Sequence, residues 1–270
     1  MSASPRLITS LTNDRVKAIR ALDMRKERKE TGLFVAEGAS IIMTAREHGF
    51  VPVTLICRAG SFSGPTGELV EWALQEGSEV LEVNAAVLEK LAAKDNPQTL
   101  LAVFRQRWGK LPSPSQIPPT ATWLALEEIR DPGNLGTIVR TVDAVGASGI
   151  LLVGTTCDPF QRECIRATMG SIFSVPLVRV SREDFLAWRA DWPGDVVGTH
   201  LLGKQDFRQA KYRGPTLLVM GSEGPGLSES LTRSCTQLVK IPMAGRLDSL
   251  NLAIATALTL YELRGQHLKL

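Results

Sequence analysis

The sequence has 270 residues, of which 44% are hydrophobic and 22% are charged, with a formal net charge of +3 at pH 7. This composition excludes a largely disordered chain, and the length allows two domains that each bury a core. The weak positive charge permits a nucleic-acid partner without requiring one.

Neither a targeting segment nor a metal site is expected. No run approaches the roughly 20 apolar residues that cross a bilayer, and the N-terminus has no long apolar core. The cysteines Cys57, Cys157, Cys164 and Cys235 show no CxxC spacing, and the three histidines are scattered. We therefore expect a cytoplasmic protein with reduced thiols, no membrane association and no metal.

Residues 1–107 alternate helical and strand patterns, which predicts a small α/β domain. Asn13 is a candidate N-cap for the first helix. The predicted elements of this domain are helices at Asn13–Leu22, Ala39–Glu47, Gly67–Glu76 and Ala85–Ala92, and strands at Leu33–Ala36, Val53–Cys57 and Leu100–Phe104.

A proline-rich segment, residues 108–120, separates this domain from residues 121–270. Four prolines between Gly109 and Thr120 exclude a helix interior or a central strand. We therefore expect a stiff linker at this point of the chain.

Residues 121–270 contain continuous apolar runs, which are typical of parallel strands covered by helices on both faces. The predicted elements are strands at Trp123–Leu126, Ile150–Val153, Val175–Val180, Val196–Thr199, Leu217–Met220 and Leu238–Ile241, and helices at Leu135–Val145, Phe160–Met169, Arg182–Arg189 and Leu250–Leu263. The last helix is apolar almost all round, which indicates burial inside the domain or in an oligomer contact.

Three glycine-rich turns follow strands of this second domain. They are residues 131–136 (DPGNLG), 221–226 (GSEGPG) and 241–251 (IPMAGRLDSLN). Ligands of open parallel sheets bind where the carboxyl ends of strands lead into such turns. We therefore expect the three turns to form one composite site.

Phosphate is a disfavoured ligand for these turns. The sequence contains no GxxxxGK[ST] string, and Gly133–Gly136 lacks the first glycines of the dinucleotide fingerprint. The carboxylate of Glu223 would repel a phosphate, although it suits a hydroxyl donor or a cationic ligand. A nucleotide-dependent oxidoreductase is disfavoured for the same reasons, and a hydrolase is disfavoured because no GxSxG string occurs.

Several polar residues in the turns also have a purely structural interpretation. Asn134 stands where a helix cap belongs, and Asp248 or Ser249 can cap the last helix. Arg140 lies among apolar neighbours, a position that also suits a surface arginine or an interface ion pair. Asn251 needs hydrogen-bond partners if it is buried.

The three motifs together resemble the signature motifs of the SpoU/TrmH family of RNA ribose 2′-O-methyltransferases, in the SPOUT superfamily. They are DPGNLGTIVR from Asp131, LLVMGSEGPGL from Leu217 and IPMAGRLDSLNLAIA from Ile241. Residues 158–171 resemble a further segment of the family, and residues 13–20 and 32–38 resemble its substrate-binding domain. The resemblance therefore covers nearly the whole chain.

The resemblance implies a parallel-sheet SPOUT domain with a C-terminal trefoil knot, preceded by a small α/β RNA-binding domain. It also implies a homodimer and S-adenosylmethionine as the cofactor, held in the knot mainly by main-chain groups. The cofactor-binding residues that it implies are Gly221, Ile241 and Leu250, with Met220, Met243 and Thr199 beside them.

The catalytic residues that the resemblance implies are Asn134, Arg140, Glu223, Ser249 and Asn251. Asp248 stands where glutamate is common in the family and Val145 where an aromatic residue is common, and neither change removes a proposed catalytic group. A guanidinium, with an ordinary pKa above 12, is a poor base. We therefore expect Arg140 to position the ribose 2′-hydroxyl and to stabilise the developing alkoxide.

RNA contacts are expected from basic residues, although interspersed acids near the first helix also fit a solvated helix face. The candidates are Arg15, Lys17, Arg20, Arg25, Lys26, Arg28 and Lys29, with Arg162 and Arg166, which lie four residues apart. The two-domain layout resembles the ribosomal-RNA branch of the family more than its shorter tRNA enzymes, which implies ribosomal (23S-type) RNA as the substrate. A tRNA ribose 2′-O-methyltransferase and a non-catalytic RNA-binding ribosome-assembly protein of the same fold are the alternatives.

Overall fold

The computed structural model describes residues 4–92 and 98–268, which form two compact units. The first unit contains the described residues up to Gln106 together with Asp158–Ser174. The second contains Arg107–Cys157 and the described residues from Val175 onward. Three short stretches of the predicted domains lie outside the described residues. They are residues 1–3 and 93–97 of the first domain and residues 269–270 of the second.

The chain up to Gln106 forms a mixed sheet with helices packed on it. Its elements are β1 (Arg6–Ile8), α1 (Asp14–Ala21), α2 (Arg25–Thr31), β2 (Leu33–Glu37), α3 (Ala39–Glu47), β3 (Thr54–Arg58), α4 (Gly64–Gln75), β4 (Glu79–Val83), α5 (Ala85–Ala92) and β5 (Leu100–Arg105). Among the described residues, the strand order is β1-β4-β3-β5-β2, and β5 runs antiparallel to β2 and β3. The sequence analysis missed β1, α2 and β4.

An aromatic cluster packs Asp158–Ser174 into the first unit. The Phe160 ring lies 4.9 Å from that of Phe34, and the Phe173 ring lies 5.0 Å from that of Phe104, between ring centroids. Phe34 and Phe104 are fully buried. Such aromatic pairs bury large apolar areas, so this segment completes the core of the first unit.

The rest of the chain forms a parallel sheet. Its elements are β6 (Thr122–Glu127), α6 (Pro132–Ala144), β7 (Gly149–Val153), β8 (Leu177–Val180), α8 (Arg182–Ala190), β9 (Asp195–Thr199), β10 (Gln205–Asp206), β11 (Thr216–Met220), α9 (Glu229–Ser234), β12 (Gln237–Lys240) and α10 (Leu252–Arg264). Helix α7 (Arg162–Thr168) follows β7 in the chain but belongs to the first unit. Within the described residues, the sheet order is β10-β12-β9-β11-β6-β7-β8, and neighbouring strands pair in parallel. The prediction of a parallel sheet is confirmed.

The strands at the centre of this sheet are buried along their whole length. Every residue of β6, β7 and β11 is buried. A strand covered on both faces has no polar side, which explains why these segments are continuous apolar runs in the sequence.

The proline-rich segment packs on the second unit along part of its length. Gly109 N–H donates to the Leu177 carbonyl at 2.8 Å, and Trp188 Nε1 donates to the Pro112 carbonyl at 2.7 Å. Leu111 and Ile117 lie against the core of this unit. These contacts make the segment part of the second unit.

Helix α10 differs from the expectation of burial on all sides. Ala253, Leu260 and other residues of one face are buried. On the opposite face Ile254 is 51% exposed, Leu258 43% and Tyr261 50%. The single chain therefore leaves an apolar face of this helix uncovered.

The thiols with resolved pKa shifts do not act as nucleophiles at neutral pH. Burial raises the pKa of Cys57 to about 11 and that of Cys235 to about 12, so both remain protonated. In the part of the chain that the structure describes, no helix is long and apolar enough to cross a membrane. The same residues include no group of three or more His, Cys, Asp or Glu side chains placed to hold a metal ion.

Candidate active site

The turns that the sequence singled out open at one edge of the parallel sheet. Strands β9, β11 and β6 are neighbours, and β12 lies on the other side of β9. Because these strands are parallel, their carboxyl ends meet at the same edge, where ligands of such sheets bind. The structure thus brings Thr199, Met220, Lys240 and the three motif turns to one side of the second unit.

The first turn leads from β6 into helix α6. Pro132 occupies the first helical turn, and Asp131 is the N-cap, whose side chain accepts the Asn134 N–H at 2.6 Å. The interpretation of Asn134 as the helix cap is therefore wrong. Its side chain is left available for partners outside the helix.

The second turn is a closed loop between β11 and helix α9. Ser222 and Gly226 exchange backbone hydrogen bonds of 3.2 and 3.1 Å. Gly221 is buried, and a Cβ at this position would overlap the backbone of Gly226 and Leu227. Only glycine therefore permits the close approach of the two ends of this turn.

The third turn ends at the beginning of helix α10. Asn251 is the N-cap, and its Oδ1 accepts the N–H groups of Ala253 at 2.9 Å and Ile254 at 3.3 Å. Asp248 and Ser249 do not cap this helix, because it begins three residues after Ser249. Ser249 is exposed, and its Oγ donates to the Asp248 carboxylate at 3.2 Å.

A chain of hydrogen bonds joins the three turns. Asn134 Nδ2 donates to Glu223 Oε1 at 3.0 Å, and Asn251 Nδ2 donates to Asn134 Oδ1 at 3.0 Å. Glu223 Oε2 also accepts the Arg130 N–H at 3.3 Å. Because Asn251 Oδ1 is fixed by the cap and Glu223 only accepts, the orientations of both amides are determined. Three of the predicted catalytic residues therefore form one network.

Arg140 lies on the same helix as Asn134, about two turns further on. Its side chain is exposed and has no hydrogen-bond or ion-pair partner among the described residues. An unpaired guanidinium can turn toward a ligand without breaking a contact within the protein. The structure thus leaves Arg140 free for a substrate, and it leaves Ser249 exposed outside the network.

Four of the predicted cofactor residues, Thr199, Met220, Gly221 and Ile241, lie at or directly after the ends of β9, β11 and β12. Thr199 Oγ1 donates to the Met220 sulfur at 3.1 Å, which links the ends of β9 and β11. Ile241 directly follows β12, and Ile241 and Met243 are half-buried. Leu250 is exposed next to the cap of α10.

Arg28 is wrongly predicted as an RNA contact. It is 3% exposed, and its guanidinium binds the Asp158 carboxylate at 2.8 Å and the carbonyls of Leu22 and Asp23. A buried arginine with these partners stabilises the first unit and cannot reach a phosphate. Arg15 is half-buried and paired with Glu79.

The two arginines of α7 are also engaged within the first unit. Arg162 pairs with Asp23, and Arg166 donates to Glu37 at 2.9 Å. The remaining predicted RNA contacts of the first unit, Lys17, Arg20, Arg25, Lys26 and Lys29, are exposed. The surface available for RNA phosphates is therefore smaller than the sequence suggested.

A polar cavity of about 380 Å³ lies elsewhere in the second unit. Asp195 and Gln237, the first residues of β9 and β12, line it together with Lys211 and Arg213. The starts of these strands are the opposite ends from the motif turns, so this cavity is separate from the candidate site.

Comparison with known proteins identifies the family. Residues 121–261 match the SpoU rRNA Methylase family, and residues 13–102 match the MRM3-like substrate binding domain. A 23S rRNA (uridine(2479)-2′-O)-methyltransferase of Streptomyces viridochromogenes is 33% identical over 89% of this chain and 85% of its own. The 23S rRNA (guanosine(2553)-2′-O)-methyltransferase RlmP of Bacillus subtilis is 27% identical over 96% of this chain and 99% of its own.

A solved structure of an rRNA methyltransferase is also similar to this chain. The AdoMet-bound rRNA methyltransferase of Sinorhizobium meliloti superposes with a TM-score of 0.90, at 44% identity over 98% of this chain and 99% of that one. The parallel sheet, the joined motif turns and these similarities define an RNA methyltransferase. The chain belongs to the SpoU rRNA methylase family.

Proposed function

We propose that this protein transfers the methyl group of S-adenosylmethionine to the 2′-hydroxyl of a ribose in ribosomal RNA. The observation that carries the proposal is the network of Asn134, Glu223 and Asn251 at the carboxyl edge of the sheet, with the unpaired Arg140 on the same helix as Asn134. The similarity to an AdoMet-bound rRNA methyltransferase supports the choice of cofactor.

The residues at this edge suit S-adenosylmethionine. The backbone at Gly221 leaves no space for a Cβ, and the Ile241–Met243 segment forms no regular secondary structure, so main-chain groups there are available to bind a flat base. Apolar and sulfur-containing side chains, including Met220, Met243 and Leu250, suit the uncharged parts of this molecule. When bound, it supplies an electrophilic methyl group on a sulfonium sulfur.

The protein's own contribution is positioning and charge stabilisation. In the transfer, the 2′-oxygen would form a bond to the methyl carbon as the carbon–sulfur bond of the sulfonium breaks, and the hydroxyl proton would pass to water. The 2′-hydroxyl is a weak acid, so this requires that the negative charge developing on its oxygen be stabilised. We assign this role to Arg140, whose guanidinium has no competing carboxylate in the described chain. The network fixes the first turn of α6, which holds Arg140 at a constant position relative to the cofactor turns.

Ribosomal RNA is the substrate that the relatives favour. The Streptomyces viridochromogenes and Bacillus subtilis proteins are named for 23S rRNA, and both are similar over nearly the whole chain. We therefore also propose action in the cytoplasm, where ribosomes are assembled. The alternative of a non-catalytic RNA-binding protein is less well supported, because the chain keeps every group of the network.

Methyl transfer to purified RNAs tests the proposal. The protein is incubated with methyl-labelled S-adenosylmethionine and, separately, with unmodified 23S rRNA, 16S rRNA and bulk tRNA. We expect label on 23S rRNA. Label on tRNA alone would establish the tRNA alternative, and RNA binding without label on any RNA would establish the non-catalytic one.

A trefoil knot and a homodimer complete the proposal. The path of the chain supports the knot, because β12 lies between β9 and β10, two strands that follow each other in sequence. The exposed Ile254, Leu258 and Tyr261 on α10 support the dimer, because a second copy would cover this apolar face.

Introducing charge on the exposed face of α10 is expected to dissociate the dimer. The double variant Ile254→Glu, Leu258→Glu places carboxylates on the exposed apolar face, and light scattering should show a monomer of half the wild-type mass. The matched control is Leu202→Glu, which alters an exposed leucine outside the helix. A double variant that keeps the wild-type mass would contradict the dimer contact.

RNA binding is expected to depend on the exposed cations of α1 and α2. Arg20 and Lys29 have no partner among the described residues, unlike the buried Arg28. The double variant Arg20→Glu, Lys29→Glu should weaken RNA binding at least about tenfold at low salt and reduce the slope of log affinity against log salt by about 1 to 2. Filter binding over a salt series measures both quantities.

The matched control changes net charge equally in the second unit. Lys211→Glu, Arg213→Glu alters two exposed cations beside the polar cavity. It should retain most of the RNA affinity. An equal loss in the two variants would show that net charge, and no particular face, governs binding.

A further inference from the structure

Glu127 is a buried carboxylate that the proposed reaction does not use. It is the last residue of β6, and it is 3% exposed at the edge of the sheet where the motif turns open. A charged group removed from water persists only when it is paired and hydrogen-bonded. Its partners therefore indicate what it holds in place.

Each oxygen of Glu127 has a different partner. Oε1 accepts from Arg182 Nε at 3.1 Å, and Oε2 accepts the backbone N–H of Ser228 at 2.8 Å. Arg182 is the first residue of α8 and supplies the compensating charge. Ser228 lies two residues after the second turn and is the N-cap of α9. One carboxylate thus connects the end of β6 to the end of the turn that contains Gly221 and Glu223.

The bond to Ser228 has a counterpart in the opposite direction. Glu223, within the second turn, accepts the N–H of Arg130, which lies in the segment between β6 and α6. Glu127 at the end of β6 therefore accepts an N–H from just beyond the second turn, and Glu223 in that turn accepts an N–H from the segment that follows β6. The second turn is held in its middle by Glu223 and at its end by Glu127, while the Ser222–Gly226 bonds close it.

We propose that Glu127, neutralised by Arg182, is a positioning residue that holds the second turn in the conformation that binds S-adenosylmethionine. This inference rests on the proposed function, because it assigns the turn to that cofactor. Glu127 acts through the backbone of Ser228 and the turn, so its removal loosens the cofactor site without removing any group that contacts the RNA.

The variant Glu127→Gln tests this role with a side chain of the same shape. Whichever way the amide lies, its NH₂ faces either Arg182 or the Ser228 N–H, so one donor loses its acceptor. We expect the dissociation constant for S-adenosylmethionine to rise at least about tenfold, while kcat at saturating cofactor changes less than about threefold. Calorimetry and initial rates give the two numbers, and thermal unfolding shows that the variant is folded.

A second variant gives a rescue. In Glu127→Gln, Arg182→Gln the new amide oxygen at position 182 can accept from the Gln NH₂ at position 127. We expect cofactor affinity to return to within about threefold of the wild type. If the single variant does not fold, Arg182→Gln alone carries the test and should weaken cofactor binding several-fold, because it removes the charge that balances Glu127.

The matched control is Glu128→Gly. Among the described residues, the Glu128 carboxylate accepts no hydrogen bond from the second turn. It accepts from the same Arg182 at 2.8 Å, and the φ of 49° at Glu128 is a conformation that glycine adopts without strain. Cofactor affinity should remain within about twofold of the wild type. Unchanged affinity in Glu127→Gln, or an equal loss in Glu128→Gly, would overturn the assignment.

The binding measurement needs no RNA, so the two proposals fail separately. A wild-type protein that binds S-adenosylmethionine but methylates no RNA would contradict the proposed function. The role of Glu127 would then still be decided by comparing cofactor affinity in the wild type and in Glu127→Gln. A wild-type protein that methylates RNA, with an unaffected Glu127→Gln variant, would contradict only the role of Glu127.

Discussion

Replacing Arg140 with alanine is expected to preserve S-adenosylmethionine affinity and to lower methyl transfer at least about a hundredfold. Arg140 is exposed and unpaired in the described chain, so its loss removes no contact that maintains the fold. What it removes is the positive charge assigned to the 2′-oxygen as the proton leaves. Single-turnover methylation and calorimetric cofactor binding measure the two effects independently.

Two further variants define what Arg140 contributes. Arg140→Lys keeps the charge and should recover part of the rate, because an ammonium cannot reproduce the planar set of donors. Arg233→Ala, which removes an exposed arginine that pairs with Glu229, should leave the rate unchanged. Near-normal turnover in Arg140→Ala would remove Arg140 from the mechanism.

Replacing Gly221 with alanine is expected to raise the dissociation constant for S-adenosylmethionine at least about a hundredfold. The added Cβ overlaps the backbone of Gly226 and Leu227, which cannot move without opening the second turn. Overpacking of this kind should also lower the free energy of unfolding by about 1 to 3 kcal/mol. Calorimetry and denaturant unfolding measure the two changes.

Gly265→Ala is the matched control for this substitution. A Cβ at Gly265 meets no atom within 4 Å, and the residue already has right-handed helical dihedral angles. Its cofactor affinity and stability should match those of the wild type. Cofactor binding within about threefold of wild type in Gly221→Ala would show that the second turn does not hold the cofactor.

The sequence predicted most of the parallel sheet because burial on both faces produces continuous apolar runs. It missed α2, whose residues Arg25–Thr31 include no apolar side chain. This helix is anchored by Arg28, a charged residue that is buried only because Asp158 lies opposite it. Hydrophobic periodicity cannot reveal an anchor whose partner is 130 residues away in the chain.

The predicted catalytic residues came from the resemblance of the motifs, whereas their contacts in the fold came from the structure. Asn134 looked like a helix cap until Asp131 proved to hold that position, for which the Asp-Pro pair before the helix is a usable signal. Asn251 is polar at the start of an apolar helix because it is the cap. Nothing in the sequence marked Glu127 as a buried positioning residue, since a buried acid at a strand end looks the same in sequence as an exposed one.

The position of the transferred methyl group tests the central claim most directly. The protein is incubated with 23S rRNA and methyl-labelled S-adenosylmethionine, and the RNA is then hydrolysed with alkali. Alkaline cleavage requires a free 2′-hydroxyl, so a ribose-methylated nucleotide stays joined to its 3′ neighbour. We predict that the label appears in an alkali-resistant dinucleotide and is absent with Arg140→Ala. Label recovered in mononucleotides, which would place the methyl group on a base, would contradict the account.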